Sequence, residues 1–366
     1  MSKFGLMADL HMHRWTQFAG TTPEGLNSRL AGLLGEVERC AVEVSTAGGK
    51  VIVLAGDIFH VRGSITPSVL NPLRDTLERC HDAYGISFIV LAGNHDLEGR
   101  DSERLGSAVT ALECEWVKVV NEPAYFPALS VHMVPWIEDI EKLKEAIKTA
   151  STLKGGPPIS RAVAAKRDLI IHAPIDGVIE GLPAHGLTAE WLADLGFRRV
   201  YSGHYHHHKS MADDKVVSIG ALAHHTWSDV RSKAGFLIVD SATGEFEWRA
   251  SRLPQFIDMN DLAGLDPDEV RFSVDGNFVR MRVDADQAKL VEAARSELLG
   301  MGARGVIIQA QPKQSVREGA VAATVSSGAS LEASLVAWVK SNLPTELEVD
   351  INRAALDVLT AAGDLE

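Results

Sequence analysis

Five short clusters of aspartate, asparagine and histidine recur along the chain, each directly after an apolar run. The clusters are Asp9-Leu10-His11, Gly56-Asp57-Ile58-Phe59-His60, Gly93-Asn94-His95-Asp96, His172-Ala173-Pro174 and Gly203-His204-Tyr205-His206. The preceding runs lack polar alternation, which is typical of strands buried on both faces. They lie at 4–8, 51–55, 88–92, 169–171 and 200–202. Because functional residues of open α/β sheets follow the carboxyl ends of strands, the pattern predicts an α/β fold with one site there.

Helix-like segments separate these runs. They lie at 25–47, 67–83, 102–114 and 137–150. Because strands alternate with helices, we expect sheets that are covered by helices. Three further apolar runs, at 216–219, 235–239 and 246–250, are closely spaced. We predict that they form antiparallel hairpins that complete a second sheet.

The pattern changes after Pro254, where a β–α–β unit follows. Residues 278–283 alternate, 285–299 suit a helix that a glycine ends, and 305–310 read as the next strand. We therefore predict four segments. They are a main domain at 1–254, a small α+β domain at 255–312, a linker rich in serine, glycine and alanine at 313–330, and a helical tail at 331–366.

Charge and cysteine content narrow the class of protein. The chain has 36 basic and 49 acidic residues, a net charge of −13, so it is unlike a freestanding nucleic-acid coat protein. Bound divalent cations could still offset carboxylates at an active site. The three cysteines form no CxxC pair, and no apolar run reaches the ~20 residues that cross a bilayer. We therefore expect a cytoplasmic protein with no membrane contact.

The residue types in the clusters favour divalent metal ions. Carboxylates, imidazoles and an amide oxygen suit Mn²⁺, Fe²⁺ or Zn²⁺, and the clusters contain no cysteine, which argues against a structural zinc site. Two ions about 3.5–4 Å apart could share a carboxylate, hold a phosphate and activate water. Asp57, which stands alone after a strand and a glycine, is the natural bridging ligand.

The order of the clusters resembles that of the calcineurin-like metallophosphoesterases. Their pattern is D-x-H, GD, GNH(D/E), H and GHxH, and this sequence has all five blocks in that order. The resemblance implies a four-layer αββα sandwich and a hydrolase with a dinuclear metal centre. In such a centre the ions lower the pKa of a bound water, which attacks phosphorus.

A finer resemblance is to the SbcD-type DNA-repair and recombination nucleases of bacteria and phages. The stretch Asp57-Ile58-Phe59-His60 is similar to their GD-(L/I)-F-H signature, and residues 218–236 resemble the passage after their last metal motif. The unit at 255–312 lies where those enzymes have a DNA-contacting capping domain. The resemblance implies a Mn²⁺-dependent DNA exonuclease and endonuclease subunit, a homodimer that works with a separate SbcC-like coiled-coil ATPase.

The resemblance also implies a role for each cluster residue. One metal ion would be held by Asp9, His11, Asp57 and His206, and the other by Asp57, Asn94, His172 and His204. His95 would act as the general acid or stabilise developing charge, and His60 would contact the scissile phosphate. Asp96 would either orient His95 or cap a turn.

Several other histidines leave alternatives open. His132 competes with His172 as the ligand of the fourth cluster, and we prefer His172 because it directly follows an apolar strand. His224 and His225 could line the substrate groove or cap a loop. No ligand role is expected for the histidines that flank the clusters, which are His13, His207 and His208.

The substrate also leaves alternatives open. Alternation along 278–283 places Arg280 and Arg282 on one face, which makes them candidate substrate-binding residues. Acidic neighbours favour a solvated mixed surface instead. The same metal site could act on a nucleotide or a phosphoprotein, or the protein could be a weakly catalytic scaffold that binds DNA ends for an ATPase.

Overall fold

The computed structural model describes residues 3–99, 104–150, 161–284, 290–311 and 351. The strands are β1 (Lys3–Met7), β2 (Val51–Ala55), β3 (Ser87–Leu91), β4 (Val117–Val120), β5 (Ala124–Phe126), β6 (Val131–Val134), β7 (Asp168–His172), β8 (Arg199–Gly203), β9 (Lys209–Met211), β10 (Val216–Ser218), β11 (Gly235–Asp240), β12 (Phe246–Ala250), β13 (Phe256–Asp258), β14 (Phe278–Asp284) and β15 (Gly305–Gln311). The helices are α1 (Ser28–Thr46), α2 (Pro67–Tyr84), α3 (Ile140–Ala150), α4 (Arg161–Ala164), α5 (Ala189–Asp194), α6 (Pro267–Val274) and α7 (Val291–Gly300).

Two six-stranded sheets form the centre of the main domain. Their strand orders are β12-β11-β1-β2-β3-β4 and β5-β6-β7-β8-β10-β9. Within them, β1 to β4 run parallel to one another, as do β6 to β8. The carboxyl ends of each parallel set therefore meet at one edge of its sheet.

Both faces of the sheets are buried. In β2, Ile52 and Leu54 belong to the core cluster that includes α1 and α2, while Val53 and Ala55 belong to a second cluster shared with the other sheet. Because successive strand residues point to opposite faces, an uninterrupted apolar run is what such a strand requires. Each buried valine or leucine contributes about 1.5–3 kcal/mol through apolar burial.

Helices cover the outer face of each sheet. α1 and α2 pack on the first sheet, and α3 and α5 pack on the second through Leu143 and Leu192. The side chain of Asn27 caps α1 by accepting a hydrogen bond from the Leu30 amide, and Pro67 occupies the first turn of α2. The order of layers is helix, sheet, sheet, helix, which confirms the predicted αββα sandwich.

Two predictions about secondary structure were wrong. β11 and β12 extend the first sheet instead of completing the second, because β11 pairs antiparallel with the free edge of β1. The described part of 102–114 forms two short 3-10 turns, not one helix. A bridge between Leu97 and Ser107 interrupts the segment, and the Gly106 carbonyl accepts a hydrogen bond from Glu98.

A third sheet, in the order β13-β14-β15, follows the sandwich. α7 lies between β14 and β15 in sequence, and a separate small core contains Val274, Val279 and Leu298. The chain divides into two compact units, one of residues 1–283 and 287–309 and the other of residues 284–286 and 310–366. The predicted linker at 313–330 and tail at 331–366 lie outside the described residues, apart from residue 351.

The loop between β10 and β11, residues 222–232, contacts the third sheet at several points. The amide of Phe256 donates to His224 Nδ1 at 2.9 Å, and the rings of Trp227 and Phe256 meet edge to face at 4.6 Å. Arg231 forms an ion pair with Asp261. We call this segment the 222–232 loop.

Among the helices of the described residues, we find none that combines the length and the apolar character of a membrane span.

Candidate metal centre

The sandwich brings the five sequence clusters to one place. Asp9 and His11 follow β1, Asp57 follows β2 and Asn94 follows β3, all at the carboxyl edge of the first sheet. The fourth and fifth clusters contribute the end of β7 and the end of β8, from the facing edge of the second sheet. Two backbone hydrogen bonds, from His11 to the Asp57 carbonyl and from Asp9 to the Gly56 carbonyl, align the first two clusters. The site therefore lies across both sheets.

Four of the predicted ligands have an unusual backbone conformation. Asp9, His11, Asp57 and His204 have φ values of 51°, 44°, 53° and 98°. Residues with a side chain rarely adopt such values, and each costs about 1–3 kcal/mol. The surrounding core must supply that energy, so these side chains are held in place before any ligand binds.

Close approach explains two of the glycines in the clusters. A Cβ atom on Gly56 would lie 2.2 Å from His172 Nδ1, and one on Gly93 would lie 2.3 Å from Asp57 Oδ1. Gly56 also has a φ of 93°. Any larger residue would displace a candidate ligand.

One group of candidate ligands consists of Asp9, His11 and His206, whose ligand atoms lie within 4.8 Å of one another. His206 Nδ1 lies 2.6 Å from Asp229 Oδ1, so this nitrogen donates the hydrogen bond. The remaining His206 Nε2 lies 3.1 Å from His11 Nε2. Two imidazole nitrogens therefore converge on one point.

A second group consists of Asp57, His172 and His204, again within 4.8 Å. His172 Nδ1 donates to the Ala55 carbonyl at 2.8 Å, which leaves His172 Nε2 as the free nitrogen. That nitrogen lies 3.2 Å from Asn94 Oδ1, and His204 Nδ1 lies 2.9 Å from the same oxygen. Asn94 therefore belongs to this group.

Asp57 lies between the two groups. One carboxylate oxygen is 3.7 Å from His11 Nε2, and the other is 3.3 Å from His172 Nε2. The side chain is almost fully buried. A carboxylate in this position can contact a cation on either side.

The donor set fits two divalent metal ions. Free imidazole nitrogens, carboxylate oxygens and an amide oxygen are suitable ligands for borderline cations. The residues therefore suit a first ion held by Asp9, His11, Asp57 and His206 and a second held by Asp57, Asn94, His172 and His204, with Asp57 shared.

Protonation competes with metal binding at this centre. Burial raises the pKa of Asp57, but the neighbouring His172, His11 and His95 together outweigh burial and hold that pKa well below its ordinary value. Burial lowers the pKa of His172, yet Asp57 and, to a smaller extent, Asp9 raise it to about 9. Burial likewise lowers the pKa of His206, but its contact with Asp229, together with the charges of Asp9 and Asp57, raises it to about 8. Both imidazoles therefore hold protons at neutral pH without metal, and acid should weaken metal binding because the ions must displace these protons.

His95 and His60 lie beside the first group. His95 Nδ1 donates to the His60 carbonyl at 2.6 Å, and the His95 ring meets the His11 ring edge to face at 4.8 Å. Asp96, a candidate for orienting His95, instead accepts hydrogen bonds from the amides of Gly93, Ile58 and Phe59. Of the two predicted roles for Asp96, these contacts match the capping role.

Other candidates lie away from the centre. His132 packs on Tyr125 and lies 3.2 Å from Arg167, so it does not reach the ligands that surround His172. Arg280 and Arg282 both face the carboxylate of Asp258, at 2.7 and 3.2 Å. Their role in substrate binding stays a prediction.

Asp229 was not predicted as a site residue. Its Oδ1 accepts from His206, and its Oδ2 accepts from the amides of His225 and Thr226 at 2.7 and 2.8 Å. His225, left open between two roles, donates from Nε2 to the Asp9 carbonyl at 2.9 Å. The 222–232 loop therefore supports two residues of the first group. An aspartate three residues after a threonine is a capping signal, but it does not reveal which histidine the carboxylate contacts.

We expect Asp229→Asn to weaken Mn²⁺ binding at one of the two sites by about 10- to 100-fold, because a carboxylate that orients a ligand histidine has effects of that size. Isothermal titration of the metal-free protein with Mn²⁺ measures the change. Asp266→Asn is the matched control, since Asp266 also accepts two backbone N–H bonds, at the start of α6, but contacts no histidine. Equal Mn²⁺ affinity in wild type and Asp229→Asn would show that His206 does not need Asp229.

Comparison with known proteins gives one family. Residues 2–208, a span that contains all five clusters, match the model of a family described as calcineurin-like phosphoesterase. A search of curated proteins gives no match. Among solved structures, the chain is similar to a dimetal phosphatase from Danio rerio at 13% sequence identity and a TM-score of 0.39. That match covers 68% of this chain and 96% of the other chain.

Proposed function

This chain belongs to the calcineurin-like phosphoesterase family, and on that premise we propose that it is a Mn²⁺-dependent DNA nuclease subunit of the SbcD kind. Membership of the family makes it a metal-dependent hydrolase. The proposed reaction is the hydrolysis of phosphodiester bonds in DNA, by exonuclease or endonuclease cleavage. The family and the ligand set support phosphoester hydrolysis, and the choice of DNA needs a further observation.

The choice of DNA rests on the resemblance of residues 57–60 to the GD-(L/I)-F-H signature, and His60 lies where the role implied by that resemblance requires it. Its Nδ1 lies 3.4 Å from His11 Nδ1, and its ring stacks with that of His95 at a centroid distance of 5.7 Å. Burial, with a smaller effect from His13, lowers the pKa of His60 to about 4, so its ring is neutral at pH 7. A neutral imidazole beside the metal centre can donate a hydrogen bond to a phosphoryl oxygen. This placement supports the role that the GD-I-F-H resemblance implies.

The metal ligands, His95 and His60 would each have a separate role in hydrolysis. When bound, two divalent ions would activate a water and offset charge on the phosphate. The Asp57 carboxylate would hold both ions at a fixed separation. His95 donates from Nδ1 to the His60 carbonyl, so its Nε2 is the atom left to give a proton to the leaving oxygen. The His60 backbone thus orients the acid, while the His60 ring contacts the substrate.

We also propose that the protein acts as a homodimer with an SbcC-like coiled-coil ATPase. The net charge of −13 supports dependence on a partner, because an acidic protein has little general attraction for DNA. Co-purification with a candidate ATPase, and the mass of the complex in solution, would test this part of the proposal.

One experiment separates the candidate substrates. The protein is loaded with Mn²⁺ and given linear duplex DNA, single-stranded circles, and bis(p-nitrophenyl) phosphate, each with the Asp57→Asn protein as control. Degradation of either DNA that is lost in the variant is the expected result. Activity confined to the small diester would favour a nucleotide or phosphoprotein substrate. DNA binding without cleavage, even with the ATPase, would favour the scaffold role.

A further inference from the structure

Arg62 reaches the metal centre from the loop after β2. Its Nη2 lies 2.9 Å from the side-chain amide of Asn94. The residue as a whole is exposed. Arg198, by comparison, forms an ion pair with Asp168, whereas the partner that the described residues offer to Arg62 is the Asn94 amide. A guanidinium at the mouth of the site is thus left with a single weak partner.

The Asn94 amide can satisfy Arg62 in only one of its two orientations. With its oxygen toward Arg62, its NH₂ group donates to His204 Nδ1 at 2.9 Å and to His172 Nε2 at 3.2 Å. A metal ion between those imidazoles requires the opposite orientation, because only the amide oxygen is a ligand. The NH₂ group then faces the Arg62 guanidinium, and no hydrogen bond forms between them because both groups are donors. When Asn94 serves as a metal ligand, Arg62 therefore loses its acceptor.

Charge adds a second reason for an anion at this place. Two divalent ions at the centre would place positive charge beside the Arg62 guanidinium. The guanidinium is repelled by this charge unless an anion lies between them. A phosphate group suits that position, because its oxygens can face the ions on one side and the fork of an arginine on the other.

We propose that Arg62 binds a non-bridging oxygen of the substrate phosphate and stabilises the charge that grows on it during hydrolysis. The proposal rests on phosphoester hydrolysis at this centre and not on the choice of DNA. Asn94 couples metal binding to phosphate binding. When its oxygen contacts a metal ion, Arg62 loses this acceptor and is free to bind the phosphate. Arg62 should therefore bind phosphate well only in the metal-loaded protein.

The test compares Arg62→Gln and Arg62→Lys with wild type, all loaded with Mn²⁺. We expect Arg62→Gln to bind inorganic phosphate about 10- to 100-fold more weakly by calorimetry, the usual effect of removing a charge-assisted hydrogen bond. It should lower kcat/KM for bis(p-nitrophenyl) phosphate by a similar factor. Arg62→Lys should recover part of both losses, because it keeps the charge but not the fork. Metal content should stay unchanged in both variants.

Arg74→Gln is the matched control, since Arg74 is an exposed arginine on α2. Unchanged phosphate affinity and kcat/KM in Arg62→Gln, with both metal ions bound, would overturn the proposal. Calorimetry measures the binding of inorganic phosphate, and this measurement does not depend on the hydrolysis of any substrate. Weakened phosphate binding in Arg62→Gln, together with a wild type that leaves DNA intact, would thus overturn only the proposed substrate and support the role of Arg62.

Discussion

We expect the Asp57→Asn protein to lose phosphodiesterase activity by at least about 1000-fold, or roughly 4 kcal/mol of transition-state stabilisation. The reason is that Asp57 is the ligand that we predict the two metal ions share, so both would lose it. The Asp57 carboxylate oxygens lie 3.7 Å from His11 Nε2 and 3.3 Å from His172 Nε2, between the two ligand groups. An amide in this position lacks the negative charge and directs its NH₂ group at one of the ions. Metal content by mass spectrometry and kcat/KM for bis(p-nitrophenyl) phosphate measure the two losses.

Asp213→Asn is a closely matched control. Asp57 and Asp213 both have a φ of 53°, a conformation that asparagine also adopts, so neither substitution adds backbone strain. Asp213 is exposed in the turn between β9 and β10, and we expect its variant to behave as wild type. If Asp57→Asn kept two bound ions and full activity, the bridging role would be wrong.

The second large effect concerns His95. We expect His95→Gln to lower the cleavage of DNA by about 10²- to 10⁴-fold, the usual contribution of a general acid. The loss should be much smaller for bis(p-nitrophenyl) phosphate, because p-nitrophenolate leaves without a proton. Metal content should stay unchanged, since His95 belongs to neither ligand group. Steady-state rates on both substrates measure the difference.

His81→Gln serves as the control for a general effect of losing a histidine, because His81 lies in the last turn of α2 and contacts the Ile86 carbonyl. Its rates should match those of wild type on both substrates. Equal losses on DNA and on the p-nitrophenyl ester in His95→Gln would point to charge stabilisation by His95 and against proton donation.

That the candidate ligands come together could be predicted because each of them lies at the end of a strand or directly after one. Parallel strands end at the same edge of a sheet, so residues as far apart in sequence as Asp9 and His206 are brought together by topology. The apolar runs marked the strands, and the polar residue after each run marked the site. The local sequence was sufficient because the site repeats one local pattern five times.

The residues that support the ligands could not be found in this way. Asp229 lies 23 residues after His206 in a segment without a strand, and only the course of the 222–232 loop brings the two together. Arg62 follows a predicted site residue, but its contact with Asn94 depends on the shape of two loops. The antiparallel pairing of β11 with β1 was missed for the same reason, because spacing in sequence does not select a partner strand.

The 222–232 loop limits how far this protein can be taken apart. Its residues His225 and Asp229 support Asp9 and His206, while His224 accepts the Phe256 amide and Arg231 pairs with Asp261. A fragment that stopped at residue 254 would contain every candidate ligand but would leave His224 and Trp227 without these contacts. We therefore expect that residues 1–254 alone do not form a stable active domain, and that a minimal active fragment must include the third sheet.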